Sequence, residues 1–509
     1  MDDPYTDCVP SRVSEFQTRK LASIILGFLV AFGAMVTLGS WALSSPPGSG
    51  PDDEYHLSSI WCAHGYRMQF CEKSTSIYEV KIPLQLHRNG GPRTVFCYAG
   101  NSQISARCIR NLDAEAVTKL ESSKRFNTSY IAKNFYRANG FFVSPNVNAS
   151  ILKMRFFQIA IFFALIGFAI YSSGERKWAV LLALFVGMVP AGLFIIPSTN
   201  PSSWAIVGVV LVGLCALNFF ISLKRSHRVA AVLGFIVALL FTRNVRGDIN
   251  IMLAICVTLG ALSGFLIRES DRSHKFDQAK LLKLGFLLVP GLLYVHLKIF
   301  SLYPWSVVRF ILNGSFYSFS NDSPQVFLGF LGGSIQLGSA DFAPTPVVLI
   351  LMSVGFATFI VITARFVPLK VKIVSGFGLS LIFFMSYWFS MGAIGLASRY
   401  VMAIYLVSLA TFSSSAVASR RLINFQFSKS SLSTIFLAIS LAQSLSLHQS
   451  IRRYVTGTNV AGWNLNKGAQ WWWTYGPSPM TIWLIGSVAF GVALFIVLSM
   501  VNSKQATTS

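Results

Sequence analysis

Apolar runs of about 18 to 22 residues recur along this chain, each long enough to cross the hydrocarbon core of a bilayer. In lipid a segment must satisfy its own backbone N–H and C=O groups, so runs of this kind form helices. Twelve spans are expected, near residues 21–43, 156–172, 178–197, 204–223, 229–242, 249–267, 284–300, 344–364, 373–391, 400–418, 432–447 and 481–501. The fold class that follows is an all-α polytopic membrane protein of about twelve transmembrane helices. The first run, Leu21 to Leu43, exceeds a signal-peptide core and no A-x-A-like site follows it, so it reads as a retained helix.

Lys plus Arg number 42 against 19 Asp plus Glu, a net charge of +23 on a chain that is only 12% charged. In a soluble domain that balance would suggest nucleic acid, but topology absorbs it here and no nucleic-acid partner is expected. The cations cluster on the side of the N-terminus: Arg12, Arg19 and Lys20; Arg176 and Lys177; Lys224, Arg225 and Arg228; Arg268 to Lys283; Arg365, Lys370 and Lys372; Arg420, Arg421 and Lys429. By the positive-inside rule that side is cytoplasmic, with both termini inside. The resulting map has cytoplasmic tails at 1–20 and 502–509, a transmembrane domain over 21–501, and outer loops at 44–153, 301–343 and 448–480. Every Asp and Glu falls outside the twelve spans, with Asp248 at a boundary, unlike the intramembrane carboxylates of pumps and many transporters.

The long first loop carries Cys62, Cys71, Cys97 and Cys108, an even count on the oxidising side. Three connectivities are open, and nearness in sequence favours Cys62–Cys71 with Cys97–Cys108. Asn111 to Phe126 has helical spacing of apolar residues, which predicts an amphipathic helix on the membrane or in solvent. Within 301–343 the glycine-interrupted stretch "VFLGFLGGSIQLGSADFAP" suits a re-entrant or interface-lying segment. "QWWWTYGP" in the last outer loop reads as an aromatic belt ahead of a substrate platform.

Three consecutive carboxylates, Asp52, Asp53 and Glu54, and then His56 follow the first span. Arg155, Arg243, Arg246, Arg309, Arg399, Arg452 and Arg453 fall at or near the same outer face. Sugar transfer from a lipid-phosphate donor needs a carboxylate to take the acceptor proton and cations to stabilise the departing phosphate. Arginine suits that duty because its planar fork grips phosphate oxygens at two points. Each feature also has an ordinary reading: arginines at span ends snorkel, and acids after a Pro-Gly-Ser turn solvate a loop or offset a helix dipole. Arg399 stands apart, since apolar sequence on both sides leaves its charge in need of a partner.

These residues resemble a family of bacterial, notably actinobacterial, multispanning proteins catalogued as a domain of unknown function and grouped with the C-type (GT-C) glycosyltransferases. "PDDEYHLSSIWCAHG" resembles that family's Pro-Asp-Glu-x-x-His stretch, with Pro51, Asp52 and His56 matching and Asp53 where Glu is usual. "MRFFQ" resembles the Met-Arg that opens the second span, through Met154 and Arg155, and "STNPSSW" resembles the Asn-Pro-Ser loop, through Asn200 and Pro201. "FLGGSIQLGSADFAPTP" is similar to a Gly-Trp-Leu-Asp-Thr-x-Leu-Pro segment without its Trp. "LASRYVMAIY" keeps the Arg-Tyr of a Gln-Gly-Arg-Tyr-x-x-Pro motif as Arg399 and Tyr400, with Ser398 and Ala403 replacing Gly and Pro.

The resemblance implies an inverting glycosyltransferase of a bacterial plasma membrane, with its active site on the outer face and Asp52 as base. Asp53 is implied as its neighbour for acceptor or metal contact. His56, Arg155, Asn200, Arg243, Arg246, Arg399 and Tyr400 are the expected substrate-binding residues. A divalent cation (Mg, Mn or Ca) on Asp52, Asp53 and His56 stays open as a cofactor, though two carboxylates and one His without fixed spacing are a weak metal signal. The expected partners are a polyprenyl-phosphate-linked sugar donor, a cell-envelope glycan or lipid acceptor, and membrane lipids. The alternatives are a lipid-linked glycan flippase or exporter without catalysis, and an assembly scaffold.

Overall fold

A computed structural model describes residues 9–66, 70–76, 78–89, 91–112, 114–127, 129, 131–188, 190–270, 337–338, 341–390, 399, 401–423 and 427–503. Helix α1 (Val9–Leu43) leads into the disulfide-bearing region, which holds α2 (Asp53–Trp61), strands β1 (Glu72–Lys73) and β2 (Val80–Pro83), α3 (Ala114–Thr118), β3 (Leu120–Ser123) and α4 (Lys133–Gly140). The bundle continues through α5 (Val147–Ser172), α6 (Lys177–Gly187), α7 (Pro190–Ile195), α8 (Ser202–Ile221), α9 (Arg225–Thr242) and α10 (Ile249–Ser270). After the undescribed stretch come α11 (Pro346–Ala364), α12 (Leu369–Ser390), α13 (Met402–Ile423), α14 (Lys429–Val455) and α15 (Pro479–Asn502).

Among the described residues, eight helices are long and apolar enough to cross a membrane: α1 from Leu21, α5, α8, α9, α10, α11, α14 and α15. The span expected at 178–197 is not one helix. It breaks after Gly187, and Pro190, which has no N–H to donate backward, opens α7. The span at 284–300 lies outside the described residues, as do Arg309 and Tyr400. The loop expected from 448 begins later, because α14 continues to Val455.

Helix α8 is the axis of the bundle. It packs against α5, α9, α10 and α13, and its surface is buried along nearly its whole length. Glycines let α10 approach closely: a Cβ at Gly264 would lie 2.7 Å from the Leu217 carbonyl oxygen, and one at Gly260 would run into that of Gly213. At its C-terminus three arginines supply the donors the last carbonyls lack. Arg176 reaches Ile221 O, Arg228 reaches Ser222 O and Arg268 reaches Phe220 O, at 3.0, 2.8 and 3.3 Å.

The opposite end of the bundle carries both disulfides, Cys62–Cys71 and Cys97–Cys108, in the pairing that sequence nearness favoured. The amphipathic helix expected over Asn111 to Phe126 does not form. Only the short α3 is helical, and Leu120–Ser123 becomes β3, which pairs antiparallel with β2 in the register Val80↔Ser123 to Pro83↔Leu120. Strand pairing outside the segment satisfies its backbone better than a short amphipathic helix would.

The aromatic-belt expectation for Trp471, Trp472 and Trp473 is likewise overturned. All three are buried, and the indole N–H of Trp473 donates to Leu43 O at 2.8 Å. The last loop is thereby sewn to the end of α1.

Candidate functional site

Arg155 builds the floor of the site. Buried in the third turn of α5, it donates to the carbonyls of Ala42, Ser45 and Pro46 at 2.7, 2.6 and 2.8 Å and to Ser49 Oγ at 3.1 Å. These acceptors lie in the last turn of α1 and just beyond it, where carbonyls have no helical partner. The guanidinium therefore shapes the turn that delivers the acidic triplet, and its four acceptors occupy the fork expected for substrate.

Asp53 closes the turn from the other side. Its Oδ2 accepts from Gly50 N–H at 2.7 Å and its Oδ1 from Thr199 Oγ1–H at 2.8 Å, with only 1% of the residue exposed. Burial pushes its pKa up to about 6, although Thr199, Arg155 and the Gly50 N–H pull the other way. Asn200 adds a strut by donating from Nδ2 to Pro51 O at 2.8 Å. Asp53 and Asn200, expected as contact residues, thus hold one loop against another.

Asp52 is what this bracing presents. It sits at the N-cap of α2 in left-handed backbone, φ 58°, and makes no side-chain cap bond to its own helix. Left-handed backbone is costly for a non-glycine residue, and here it turns the carboxylate away from the helix amides. The side chain, 55% exposed, meets Arg399 instead, Oδ2 to Nη2 at 3.4 Å, while Arg399 itself is only 12% exposed.

His56, one turn further along α2, has Nδ1 at 2.9 Å from the Tyr136 hydroxyl on α4. Surrounding protein, then Arg399, Arg246 and Arg125, push its pKa down to about 3, so it is neutral at ordinary pH. Burial raises the Tyr136 phenol, which stays protonated. Helix α4 is seated by a buried chain in which Trp204 Nε1–H donates to Gln158 Oε1 at 2.6 Å and Gln158 Nε2–H to Asn139 Oδ1 at 2.7 Å. Ala132 N–H also donates to Asn244 O at 2.6 Å, which docks the turn after α9 beside His56.

That turn carries Arg243, exposed, and Arg246, which grips Asp248 at two points, 2.9 and 2.8 Å, and Ser202 Oγ at 3.0 Å. Arg246, Asp248 and Arg399 form the polar side of a narrow cleft, whose other lining is Ala205, Ile206, Val209, Ile249, Met252 and Ala403. Asp52, Arg246, Arg399 and His56 are thus brought together, whereas Arg155, Asp53 and Asn200 stand behind them. No group of three or more His, Cys, Asp or Glu side chains converges among the described residues. Asp53 faces Gly50 and Thr199 while Asp52 faces Arg399, so with His56 they do not form one cation site.

A buried ion pair joins Arg453, one of the outer-face arginines, to an aspartate that sequence reasoning did not single out. Asp341 Oδ2 lies 2.6 Å from Arg453 Nη2, with side-chain exposures of 4% and 0%. Arg453 also donates to Ile104 O and Tyr98 O at 2.7 and 3.0 Å. The available signal was the aspartate of "GSADFAP", inside the segment similar to the Gly-Trp-Leu-Asp-Thr-x-Leu-Pro stretch.

Residues 35–456 match the family described as predicted membrane protein (DUF2142). The chain belongs to this family. The match runs from within α1 to the end of α14, and so takes in every site residue above. No curated protein and no solved structure matches the chain. Membership in DUF2142 carries a membrane assignment and no activity.

Proposed function

We propose that this protein is an inverting glycosyltransferase that moves a sugar from a polyprenyl-phosphate donor to a cell-envelope glycan or lipid on the extracytoplasmic face. The observation that carries the reading is Asp52. An exposed carboxylate, turned outward by left-handed backbone, stands 3.4 Å from Arg399, which also lines the Arg246 cleft. The cleft joins guanidinium groups to an apolar wall, the combination that a lipid phosphate with an isoprenoid tail requires.

In the proposed reaction Asp52 takes the proton of an acceptor hydroxyl. The freed oxygen attacks the anomeric carbon, the bond from that carbon to the phosphate oxygen breaks, and the electron pair leaves with polyprenyl phosphate. Arg399 and Arg246 offset the charge gathering on that phosphate. The Asp52–Arg399 pair is long, 3.4 Å, and its carboxylate side is in solvent, so donor phosphate can compete for the guanidinium. Neutral His56 can hydrogen-bond a sugar hydroxyl without adding charge. The resemblance to GT-C enzymes supports the same roles, and the disulfides at this end favour an oxidising compartment. Arg176, Lys177, Arg225, Arg228 and Arg268 at the other end favour a cytoplasmic side there.

The test is Asp52→Asn, extracted and assayed with labelled polyprenyl-phosphate sugars and envelope acceptors. Loss of about 10²- to 10⁴-fold is expected, the usual worth of a general base; transfer at the wild-type rate would overturn the assignment. The second reading, a lipid-linked glycan flippase, is favoured by the break between α6 and α7, where Gln443 Nε2–H donates to Met188 O at 2.8 Å. It expects lipid movement across vesicles with no transfer by either variant.

A further inference from the structure

The loop from Gly457 to Ser478 contains one tryptophan that its fold does not bury. Trp463 is 64% exposed, yet it is held rigidly. His448 Nε2–H donates to its carbonyl at 3.1 Å, and Arg452 Nη2–H donates to the carbonyls on either side, Gly462 at 2.6 Å and Asn464 at 3.1 Å. The Trp463 ring stacks on Trp483 at 6.5 Å and 26°, with His448 at 5.3 Å from one ring and 4.9 Å from the other.

Its neighbours fix its depth. His448 precedes the end of α14 at Val455 by seven residues, and Trp483 follows the start of α15 at Pro479 by four. At 1.5 Å per residue those positions lie about 10 and about 6 Å inside the helix ends, so the loop folds back along the bundle. Immediately beyond Trp483, α15 shows an exposed stripe of Leu484, Ile485, Val488, Val492 and Phe495, and α14 shows Leu437 and Leu441. Both helices are membrane-spanning candidates, so these side chains face lipid. Trp463 stands at the head of that stripe, where apolar surface gives way to exposed Asn464, Asn466 and Lys467.

We infer that Trp463 anchors this loop in the interfacial layer of the bilayer, a phospholipid surface being its partner. An indole with one apolar face and a polar edge partitions to that layer. The inference is independent of the proposed transfer reaction.

A nitroxide at Trp463→Cys in lipid vesicles tests it, with Tyr78→Cys as the aqueous reference and Val488→Cys as the acyl-chain reference. Accessibility to oxygen and to a water-soluble nickel chelate intermediate between the two references is the expected result. Accessibility equal to that at Tyr78 would overturn the inference. Should Trp463→Cys fail to fold, quenching of native fluorescence by lipids brominated near the head group decides instead. Trp463→Phe must then lower the quenched fraction, and an unchanged fraction refutes the anchor.

Discussion

Asp53→Asn separates the cost of the buried carboxylate from its use. The ordinary carboxyl value is 3.8 and that of Asp53 in the fold about 6; at 1.36 kcal/mol per pH unit the gap is worth ~3 kcal/mol. The folded value lies above the unfolded one, so the native state binds a proton that the unfolded chain has already lost. The associated stability is fully present below about pH 4 and is gone once the pH has risen past about 6. At neutral pH the protein therefore carries a carboxylate that its surroundings disfavour, and it keeps the anion because two donors, Gly50 N–H and Thr199 O–H, converge on it. Asparagine removes the charge and one acceptor; the Thr199 hydroxyl can rotate to accept from the new amide. The expected result in detergent is a wild-type melting temperature that falls between pH 4 and 7 and an Asp53→Asn curve that lacks this component. Transfer should fall in the same variant, because the hydrogen bonds that hold the turn presenting Asp52 lose their charged acceptor. Parallel melting curves for the two proteins across that range would refute the reasoning.

Asp52→Gly and Asp52→Ala both remove the Arg399 pair, but only glycine accepts φ 58° freely. The glycine variant should melt above the alanine variant by a margin of about 1 kcal/mol, left-handed strain relieved less glycine's added chain entropy; equal melting would show that the strain is absent. Arg155→Met leaves the carbonyls of Ala42, Ser45 and Pro46 without donors. At about 1–3 kcal/mol for each buried group so orphaned, monodisperse yield after extraction should collapse, and a wild-type yield and melting temperature would rule out the structural role.

Hydropathy reads the bundle well wherever a span is one uninterrupted helix in lipid, because there the segment's own backbone decides its conformation. Reading weakens where the decisive partner lies elsewhere in the chain. Leu120–Ser123 has helix-compatible spacing, but β2, some forty residues earlier, supplies the hydrogen bonds that make it a strand. Pro190 was visible inside the span at 178–197, and a count of apolar length passes over what one missing N–H does to it. Nearness sufficed for the disulfides, since loops of nine and eleven residues are local events.

The candidate site divides along the same line. Residue types and a motif resemblance gathered Asp52, His56 and Arg399, which the fold also gathers, but they could not separate a cation that faces a ligand from one that holds backbone. Arg155 and Arg399 both sit beside apolar spans, and both suit a phosphate. What distinguishes them is the company of free carbonyls. Arg155 meets the frayed end of α1 more than a hundred residues away, and Arg399 meets an exposed carboxylate beside a cleft. The adjacent Asp52 and Asp53 part for a related reason: a helix start places consecutive side chains on different faces, one toward Thr199 in the protein and one toward Arg399 at the surface. Exposure therefore ranks the acids, and it makes Asp52 the one of the pair that a ligand from solvent can reach without unlocking the turn.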